Sequence, residues 1–352
     1  MNNDLLALTC INRTDETGDV ATFEFKLQSG DNFSYKAGQF LTFAVEIDNQ
    51  IEYRAYSLSS SPTKPQTAAV TIKRVEGGKV SNFFLDNVYV GVECSALPAA
   101  GTFTIEDRKT TKEIIFMSLG SGITPCISMA TQLLDSQQDV NIHFIYNAKN
   151  ADDVIMADKL FGLDEQHSNF RLTRVLKEVD LENSPKTDKK GRMDAFYFET
   201  LIPDNRGRTI FICGPTPYMD LVENLAASMG FDMSQFHKES FETTVESNTE
   251  KEVDHTHSGD QIPPFTISIP AFSKEVIIDG RTTLLDALED AGLPIVSACR
   301  EGFCGACKCK VKGQVDSMGE DVLTKEQLEM GYVLTCCSTA SSDLEIDIEP
   351  RK

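Results

Sequence analysis

The sequence CREGFCGAC spans residues 299–307 and holds three cysteines with C-x4-C-x2-C spacing. Another cysteine, Cys336, follows the last of them after 29 residues. The chain has 352 residues and ten cysteines, and six of the ten lie between residues 299 and 337. Such crowding favours thiolate ligands for a metal over a framework of disulfides. This stretch therefore decides what kind of domain ends the chain.

A three-cysteine loop with one remote cysteine is the plant-type arrangement for a [2Fe-2S] cluster. Gly302 and Gly305 lie inside the loop, where they let the backbone wrap closely enough for its N–H groups to point at sulfur. The alternative is a zinc site with four cysteines, but zinc sites rarely combine such a loop with one remote ligand. The spacing therefore predicts an iron-sulfur cluster.

Two stretches closely resemble plant-type ferredoxins: SACREGFCGACKCKVKGQVD (297–316) and GYVLTCCSTASSDLEIDIE (331–349). The resemblance covers roughly residues 265–349 and implies a β-grasp fold with Cys336 as the fourth ligand. Its neighbour Cys337 is the alternative, but adjacent residues on an extended segment point in opposite directions, so only one reaches the cluster. Cys309 is an extra thiol, for which we expect a packing role. The predicted metal ligands are Cys299, Cys304, Cys307 and Cys336.

Upstream of this domain, residues 242–264 contain no aromatic residue and few aliphatic ones. Such a segment cannot bury a core of its own, so we expect an interdomain linker. Beyond it, FTISIP (265–270) and KEVIID (274–279) predict a hairpin, and TTLLDALEDAG (282–292) predicts a helix closed by glycine. The predicted domains are residues 1–108, residues 109–241 and residues 265–352.

Between residues 109 and 241, β-rich runs alternate with segments that favour helices, including 125–137 and 215–229. Such alternation predicts a parallel sheet with crossover helices. The runs are EIIFMSL (113–119), VNIHFIY (140–146), FRLTRVL (170–176) and TIFIC (209–213).

Two loops follow strands of this predicted sheet. Gly120-Ser121-Gly122-Ile123-Thr124-Pro125 follows the first run, and Cys213-Gly214-Pro215 follows the last. The first loop lacks the third glycine of a Rossmann fingerprint, but it has the position that a nucleotide-phosphate loop needs. Because the carboxyl ends of parallel strands meet at one edge, both loops should lie where such folds bind ligands.

The first hundred residues show short alternating apolar stretches, which predict an antiparallel barrel or sandwich. They include ATFEFKL (21–27), QFLTFAV (39–45), AVTIKRV (69–75) and GTFTIED (101–107). Arg54-Ala55-Tyr56-Ser57 ends a predicted strand, and these residue types can clamp a phosphate, lie against a flat ring and hydrogen-bond a ring nitrogen. Gly77-Gly78-Lys79-Val80-Ser81 precedes an apolar run and predicts a helix start that binds pyrophosphate.

The ordered motifs RAYS, GGKVS, GSGITP and CGP resemble the ferredoxin-NADP reductase superfamily over about residues 5–241. The resemblance implies an antiparallel β-barrel FAD domain followed by an α/β parallel-sheet NAD(P) domain, and then the β-grasp [2Fe-2S] domain. It implies that Ser57, Thr124 and Cys213 lie at the site of hydride transfer. The predicted cofactor-binding residues are Arg54, Tyr56, Ser57, Gly78, Val80, Ser81, Gly120, Gly122, Thr124, Gly214, Pro215 and Phe241.

This domain content predicts an electron transferase, because hydride carries two electrons, the cluster accepts one, and a flavin can divide the pair. The domain order resembles the NADH oxidoreductases that serve hybrid-cluster protein, which we favour, and the reductase components of phenylacetyl-CoA epoxidase and Rieske-type demethylases. Two other hypotheses are a passive electron carrier with an idle flavin domain and a reductase that acts on a small molecule. We expect NADH over NADPH, because the loop 146–153 ends in two acids and has no arginine, although it contains Lys149.

The charge and the hydropathy pattern argue against several other functions. A formal charge of −21 disfavours nucleic acid as a partner, since a polyanion would be repelled. No stretch approaches the roughly 18 consecutive apolar residues that predict a membrane span. The N-terminal residues have no basic segment or long apolar run, so we expect no secretory signal and a cytoplasmic protein.

Overall fold

The computed structural model describes residues 5–204, 206–241, 264–295, 297, 300, 302, 305–317, 323 and 325–348. The chain divides into two compact units, one formed by residues 1–52 and 56–242 and the other by residues 53–55 and 243–352. Each unit has its own hydrophobic core. The predicted linker lies outside the described residues except for Pro264.

The N-terminal domain is a six-stranded antiparallel barrel with the strand order β4-β3-β6-β1-β2-β5. The alternating pattern predicts its inward face, and Phe23 and Phe25 of β2 are fully buried. An isolated bridge between Leu58 and Val70 joins the end of β4 to β5, which closes the barrel. The strands are β1 (Leu6–Thr17), β2 (Val20–Leu27), β3 (Phe40–Ile47), β4 (Gln50–Ser57), β5 (Ala68–Lys73) and β6 (Glu93–Ala100).

One helix, α1 (Lys79–Asn87), packs into this barrel. Its Phe84 is fully buried and meets the rings of Phe43 at 4.9 Å and Tyr56 at 5.8 Å between centroids. Edge-to-face pairs of this kind add to the stability that area burial supplies. The helix start that the glycine pattern predicts is therefore fixed against the strand that carries Tyr56.

The stretch 101–107, predicted as a strand, is irregular in the structure. Its two buried apolar residues, Phe103 and Ile105, pack into the core of the second domain, and Phe103 meets Phe211 at 5.7 Å. The strand lies just before it, at β6, which contains Pro98 at an irregular point of its pairing with β3. The alternating pattern was misleading because Phe103 and Ile105 are buried against the second domain and not within the barrel.

The second domain is a parallel six-stranded sheet with helices on both faces, as predicted. Its strands are β7 (Glu113–Leu119), β8 (Asn141–Ala148), β9 (Phe170–Leu176), β10 (Asp188–Lys190), β11 (Arg208–Cys213) and β12 (Phe236–Glu239). Its helices are α2 (Ile123–Asp135), α3 (Ala157–Gln166), α4 (Ala195–Leu201) and α5 (Thr216–Ser228). Two core clusters cover the two faces of the sheet.

The strand order β10-β9-β8-β7-β11-β12 has a switch point between β7 and β11. The chain runs outward from β7 to β10 on one side, then returns to place β11 and β12 on the other. Open parallel sheets bind ligands at such a point, outside the carboxyl ends of the strands. The two predicted nucleotide loops follow β7 and β11, so the topology places them on either side of it.

The barrel and the parallel sheet share one compact unit and exchange direct hydrogen bonds. Ser128 Oγ on α2 donates to Ser60 O just after β4 at 2.5 Å. Met156 N donates to the carboxylate of Glu16 on β1 at 3.1 Å. The first bond fixes the strand that carries the predicted flavin residues relative to the helix that follows the first nucleotide loop, and the second ties β1 to the segment before α3.

The C-terminal unit contains a five-stranded sheet, ordered β14-β13-β19-β15-β17, and a two-stranded sheet. The predicted hairpin and helix are present, and Leu284 and Leu288 of α6 pack into the core of the larger sheet. A sheet that folds over one helix in this way is the predicted β-grasp arrangement. The elements are β13 (Phe265–Ile269), β14 (Lys274–Ile278), α6 (Leu284–Asp290), β15 (Lys308–Lys312), β16 (Val315–Ser317), α7 (Lys325–Glu329), β17 (Tyr332–Leu334), β18 (Ser338–Ala340) and β19 (Leu344–Asp347).

The longest helices in the described part of the chain, α2 and α5, have 13 residues each. No described helix has the length and apolar character needed to cross a bilayer.

Candidate functional site

The predicted flavin residues of the barrel lie at the end of β4. Arg54 and Tyr56 are two residues apart and therefore share one face of the strand, where Arg54 is exposed and Tyr56 is half-buried. Ser57, on the other face, is buried. A cation, an aromatic ring and a hydroxyl along one strand fit the phosphate, ring and ring nitrogen of a flavin nucleotide.

The predicted pyrophosphate residues begin α1. Gly78 is the N-cap, and a Cβ there would lie 2.6 Å from Ser81 Oγ and 2.9 Å from Val75 Cβ. Ser81 Oγ accepts a hydrogen bond from Val75 N at 3.3 Å, which holds the turn before the helix. Val80 and Ser81 are both buried. Glycine is therefore needed at position 78 for space, and the helix N-terminus supplies the N–H groups that anions favour.

The two nucleotide loops of the second domain interlock. A Cβ at Gly122 would lie 2.2 Å from Cys213 O and 2.7 Å from Gly214 N. A Cβ at Gly214 would lie 3.2 Å from Leu119 Cβ. Gly120 is glycine for another reason, since its φ of +59° lies in the left-handed region and nothing crowds it. The loops after β7 and β11 thus form one surface at the switch point.

Thr124 and Cys213 are both buried at this surface. The Thr124 hydroxyl donates to Ser121 O at 3.1 Å, which ties the first turn of α2 to the loop. Burial, and then the nearby carboxylate of Glu239, raise the pKa of the Cys213 thiol well above its usual value. Cys213 is therefore a neutral thiol here. Pro215 caps α5 at its N-terminus, where its missing N–H costs nothing.

Several residues at this edge escaped the sequence prediction. Asn147 Nδ2 donates to Ser118 O at 3.2 Å and to the Tyr218 hydroxyl at 2.8 Å. Within the described residues, Asn147 Oδ1 and Ser118 Oγ are buried without a hydrogen-bond partner. Such groups are rarely left unpaired, so they suit a site that receives a polar ligand. A polar residue at the end of a strand beside a switch point was the available signal.

Phe241 and the acidic loop lie near the ends of their strands. Phe241 is two residues beyond β12 and is 37% exposed, so it is not a core residue. In the loop after β8, Asn150 Oδ1 accepts from the backbone N–H groups of Asp152 and Asp153 at 2.9 and 3.1 Å. This cap fixes both acids in a single short turn.

The structure describes two of the four predicted cluster ligands, Cys307 and Cys336; Cys299 and Cys304 lie outside the described residues. Both described cysteines are buried, at 2% and 7% exposure. Gly302 N–H donates to Cys336 Sγ at 3.2 Å. Gly302 has a φ of +78°, which permits this approach. Buried sulfurs with a backbone N–H aimed at one of them fit an iron-sulfur cluster.

The neighbouring thiols have other surroundings. Thr335–Cys337 forms a 3-10 turn, not the extended segment assumed from the sequence, and Cys337 Sγ donates to Leu334 O at 3.5 Å. Cys309 is buried in the core of the larger sheet, and burial raises its pKa to about 12. This placement agrees with a packing role for Cys309.

Three family models match the chain in the predicted order. The oxidoreductase FAD-binding domain matches residues 7–104, the oxidoreductase NAD-binding domain residues 116–224, and the 2Fe-2S iron-sulfur cluster binding domain residues 273–341. The chain folds like phthalate dioxygenase reductase, with a TM-score of 0.61, 25% identity and 98% of each chain covered.

Two similar proteins match along almost their whole length. The glycine betaine monooxygenase reductase subunit of Chromohalobacter salexigens is 34% identical over 96% of this chain and 94% of its own. The NADH oxidoreductase HCR of Escherichia coli is 33% identical over 94% of each. By these matches the chain belongs to the family of iron-sulfur flavoprotein reductases, and it is an NAD(P)H oxidoreductase with FAD and a [2Fe-2S] cluster.

Proposed function

We propose that this chain oxidises NADH and passes single electrons through its [2Fe-2S] cluster to a separate acceptor protein. The observation that carries the proposal is the interlocking of Gly122 with Cys213 and Gly214 at the switch point, within the same compact unit as the barrel. A nucleotide bound there lies on loops that are fixed relative to the barrel. This arrangement supports hydride transfer between the two domains.

The barrel residues hold the flavin in this proposal. When bound, FAD accepts hydride as an electron pair and releases electrons singly, as the cluster requires. Arg54 binds the phosphates, Tyr56 lies against the ring and Ser57 hydrogen-bonds a ring nitrogen. Gly78, Val80 and Ser81 present the N-terminus of α1 to the pyrophosphate.

The residues at the switch point hold the nicotinamide nucleotide. Thr124 and Cys213 contact the nicotinamide, and Phe241 covers the flavin ring. Because its pKa is raised, Cys213 contributes contact and not proton transfer. The loop N–H groups of Gly120, Gly122 and Gly214 would bind the phosphates. Gly122 and Pro215 are the N-caps of α2 and α5, whose N-termini favour anions.

The preference for NADH over NADPH follows from the loop after β8. Asp152 and Asp153 are held side by side by Asn150, and carboxylates repel a 2′-phosphate. Lys149 is exposed and is the only cation in residues 146–153, of which the first three end β8. The two acids outnumber the single cation, and Asn150 holds the backbone of both in one turn.

The cluster ligands in this proposal are Cys299, Cys304, Cys307 and Cys336. The hydrogen bond from Gly302 N–H to Cys336 Sγ supports Cys336 over Cys337 as the remote ligand. We further propose domains at residues 1–108, 109–241 and 265–352, with a linker at 242–264. A cytoplasmic location suits the ten cysteines, which a reducing compartment keeps as thiols.

Two classes of acceptor protein follow from the similarities. Hybrid-cluster protein is the acceptor that the sequence resemblance implies. An oxygenase component is the second candidate, because the Chromohalobacter relative is a monooxygenase reductase subunit. The identities of 34% and 33% do not separate the two classes.

Anaerobic mixing of the purified protein with NADH tests the proposal. We expect the flavin absorbance to bleach first and the reduced cluster signal to appear afterwards in electron paramagnetic resonance, with NADPH at least tenfold less efficient. Reduction only by a second enzyme would indicate a passive electron carrier. Turnover of a small molecule without an acceptor protein would indicate a reductase that acts on a small molecule. Adding purified hybrid-cluster protein or a Rieske oxygenase component then shows which one reoxidises the cluster.

A further inference from the structure

Two adjacent residues of β8 hold the first nucleotide loop from opposite faces of the sheet. Side chains of neighbouring strand residues point to opposite faces. The Tyr146 hydroxyl donates to Gly120 O at 3.2 Å on one face, and Asn147 Nδ2 donates to Ser118 O at 3.2 Å on the other. Both residues are buried, at 0% and 5% exposure. The loop after β7 is therefore held through the carbonyl group of Gly120, and the end of β7 through that of Ser118.

Holding these carbonyls fixes the orientation of the loop amides. The peptide unit is planar and trans, so its C=O and N–H point in opposite directions. With Gly120 O directed at the Tyr146 hydroxyl, the N–H of Ser121 points away from that hydroxyl. Gly120 can adopt this orientation because its φ is +59°. A phosphate at the edge then meets an N–H group that needs no reorientation.

Tyr146 also connects this loop with the barrel. Its hydroxyl accepts a hydrogen bond from Ile155 N at 3.4 Å, and the next residue, Met156, donates its N–H to Glu16 on β1. Met156 has a φ of +57°, a left-handed conformation that a methionine adopts only when its surroundings hold it there. The nucleotide loop and the barrel strand are thus attached to the same short segment before α3.

Asn147 connects the first loop with the second. Its Nδ2 also donates to the Tyr218 hydroxyl on α5, the helix that follows the Cys213-Gly214-Pro215 loop. The same amide group therefore contacts β7, which precedes the first loop, and α5, which follows the second. Its Nδ2 donors are both used within the protein, so through them Asn147 holds β7 and α5, and only its Oδ1 is left to accept a hydrogen bond from a ligand.

We propose that Tyr146 and Asn147 are positioning residues for the nicotinamide nucleotide, acting by fixing the carbonyl groups of Gly120 in the loop and of Ser118 at the end of β7. The inference rests on the proposed NADH oxidation. It means that the end of β8 orients the phosphate-binding amides. The loop after β8, with Asp152 and Asp153, discriminates at the 2′-position of the nucleotide.

Rapid mixing of the flavin-loaded full chain with increasing NADH tests this role. Tyr146→Phe removes only the hydroxyl, and we expect the Kd for NADH to rise about fivefold to tenfold, as for one lost hydrogen bond. The limiting rate of flavin reduction should change less than about twofold, because the phosphates are remote from the reacting carbon. Asn147→Leu should also raise the Kd, and the two effects should not add, since both residues hold one loop.

Tyr197→Phe is the matched control, because the Tyr197 hydroxyl also donates to a backbone carbonyl, that of Lys190, in the same domain. It should leave the Kd for NADH unchanged. The inference is overturned if Tyr146→Phe and Asn147→Leu keep the wild-type Kd, or if Tyr197→Phe weakens NADH equally. If NADH does not reduce the wild-type flavin, the proposed function itself fails, which is a different outcome.

Discussion

At the scale of single residues, the glycines of the nucleotide loops serve different physical needs. Gly122 has an ordinary helical φ of −61°, yet its α-carbon lies against the Cys213–Gly214 peptide. Both neighbouring atoms are backbone, so neither can move aside as a side chain would. Gly122→Ala should therefore lower the free energy of unfolding by about 1–3 kcal/mol, the usual cost of overpacking, and weaken NADH binding at least tenfold. Urea unfolding and NADH titration measure both effects.

Gly162 provides the control, since it lies within α3 and a Cβ there would meet only Gln166 Nε2, at 3.7 Å. Alanine favours a helix over glycine by about 1 kcal/mol, so Gly162→Ala should stabilise the protein and leave NADH binding unchanged. Equal loss of stability in the two variants would show that the close approach at Gly122 is not what makes glycine necessary there.

Sequence alone predicted the loops at this site but not how they are held. Gly120 and Gly122 stand out in a G-x-G pattern, but their separate roles depend on φ and on a peptide 91 residues away in sequence. Tyr146 ends an apolar run and resembles a core residue, because hydropathy does not report where a hydroxyl points. The 2Fe-2S domain was predictable from its cysteines, since spacing along a short loop is itself a geometric constraint, and the individual ligands remain a prediction.

At the scale of elements, a buried histidine on β8 bonds a residue of β9 and makes the stability of the protein sensitive to acid. His143 on β8 bonds Thr173 Oγ1 at 3.0 Å, and burial, then the Arg171 and Arg208 guanidinium groups, lower its pKa to about 3. An unfolded histidine has a pKa of about 6.5. Between these values the unfolded chain binds a proton that the folded chain does not, so stability falls as pH decreases below about 6.5.

Between pH 7.0 and 5.5 we expect the wild-type protein to lose about 1 kcal/mol more unfolding free energy than His143→Asn, because the variant lacks this proton. Urea unfolding followed by circular dichroism at the two pH values measures the difference, and the comparison cancels the other titrating groups. Parallel pH dependence in both proteins would mean that His143 is protonated in the folded state.

The elements also show where sequence patterns are sufficient. The runs at β7, β8, β9 and β11 are apolar because a parallel sheet is covered on both faces, and that composition is visible in the sequence. The strand β6 was missed because Pro98 interrupts its pattern, although an irregular point in the pairing tolerates it. The stretch 101–107 was wrongly predicted as a strand because its apolar residues alternate. They are buried by another domain, which periodicity does not reveal.

At the scale of the whole molecule, negative charge is unevenly distributed. The formal charge is −21, and residues 242–352 contain 10 Lys and Arg against 21 Asp and Glu. Less than a third of the chain therefore carries about half of the excess, in the part that holds the cluster. A charged surface attracts cations and repels anions over roughly 10 Å at 0.1 M salt. Electron delivery should consequently depend on the charge of the acceptor.

Two small acceptors of opposite charge test this expectation with NADH in excess. Reduction of hexaammineruthenium(III), a cation, should slow by roughly tenfold between low and high ionic strength, because salt screens the attraction. Reduction of ferricyanide, an anion, should accelerate over the same range as the repulsion is screened. Opposite slopes would indicate that a protein acceptor docks through a basic surface. Identical slopes for the two acceptors would show that the local charge at the point of electron exit is close to neutral, whatever the net charge of the chain.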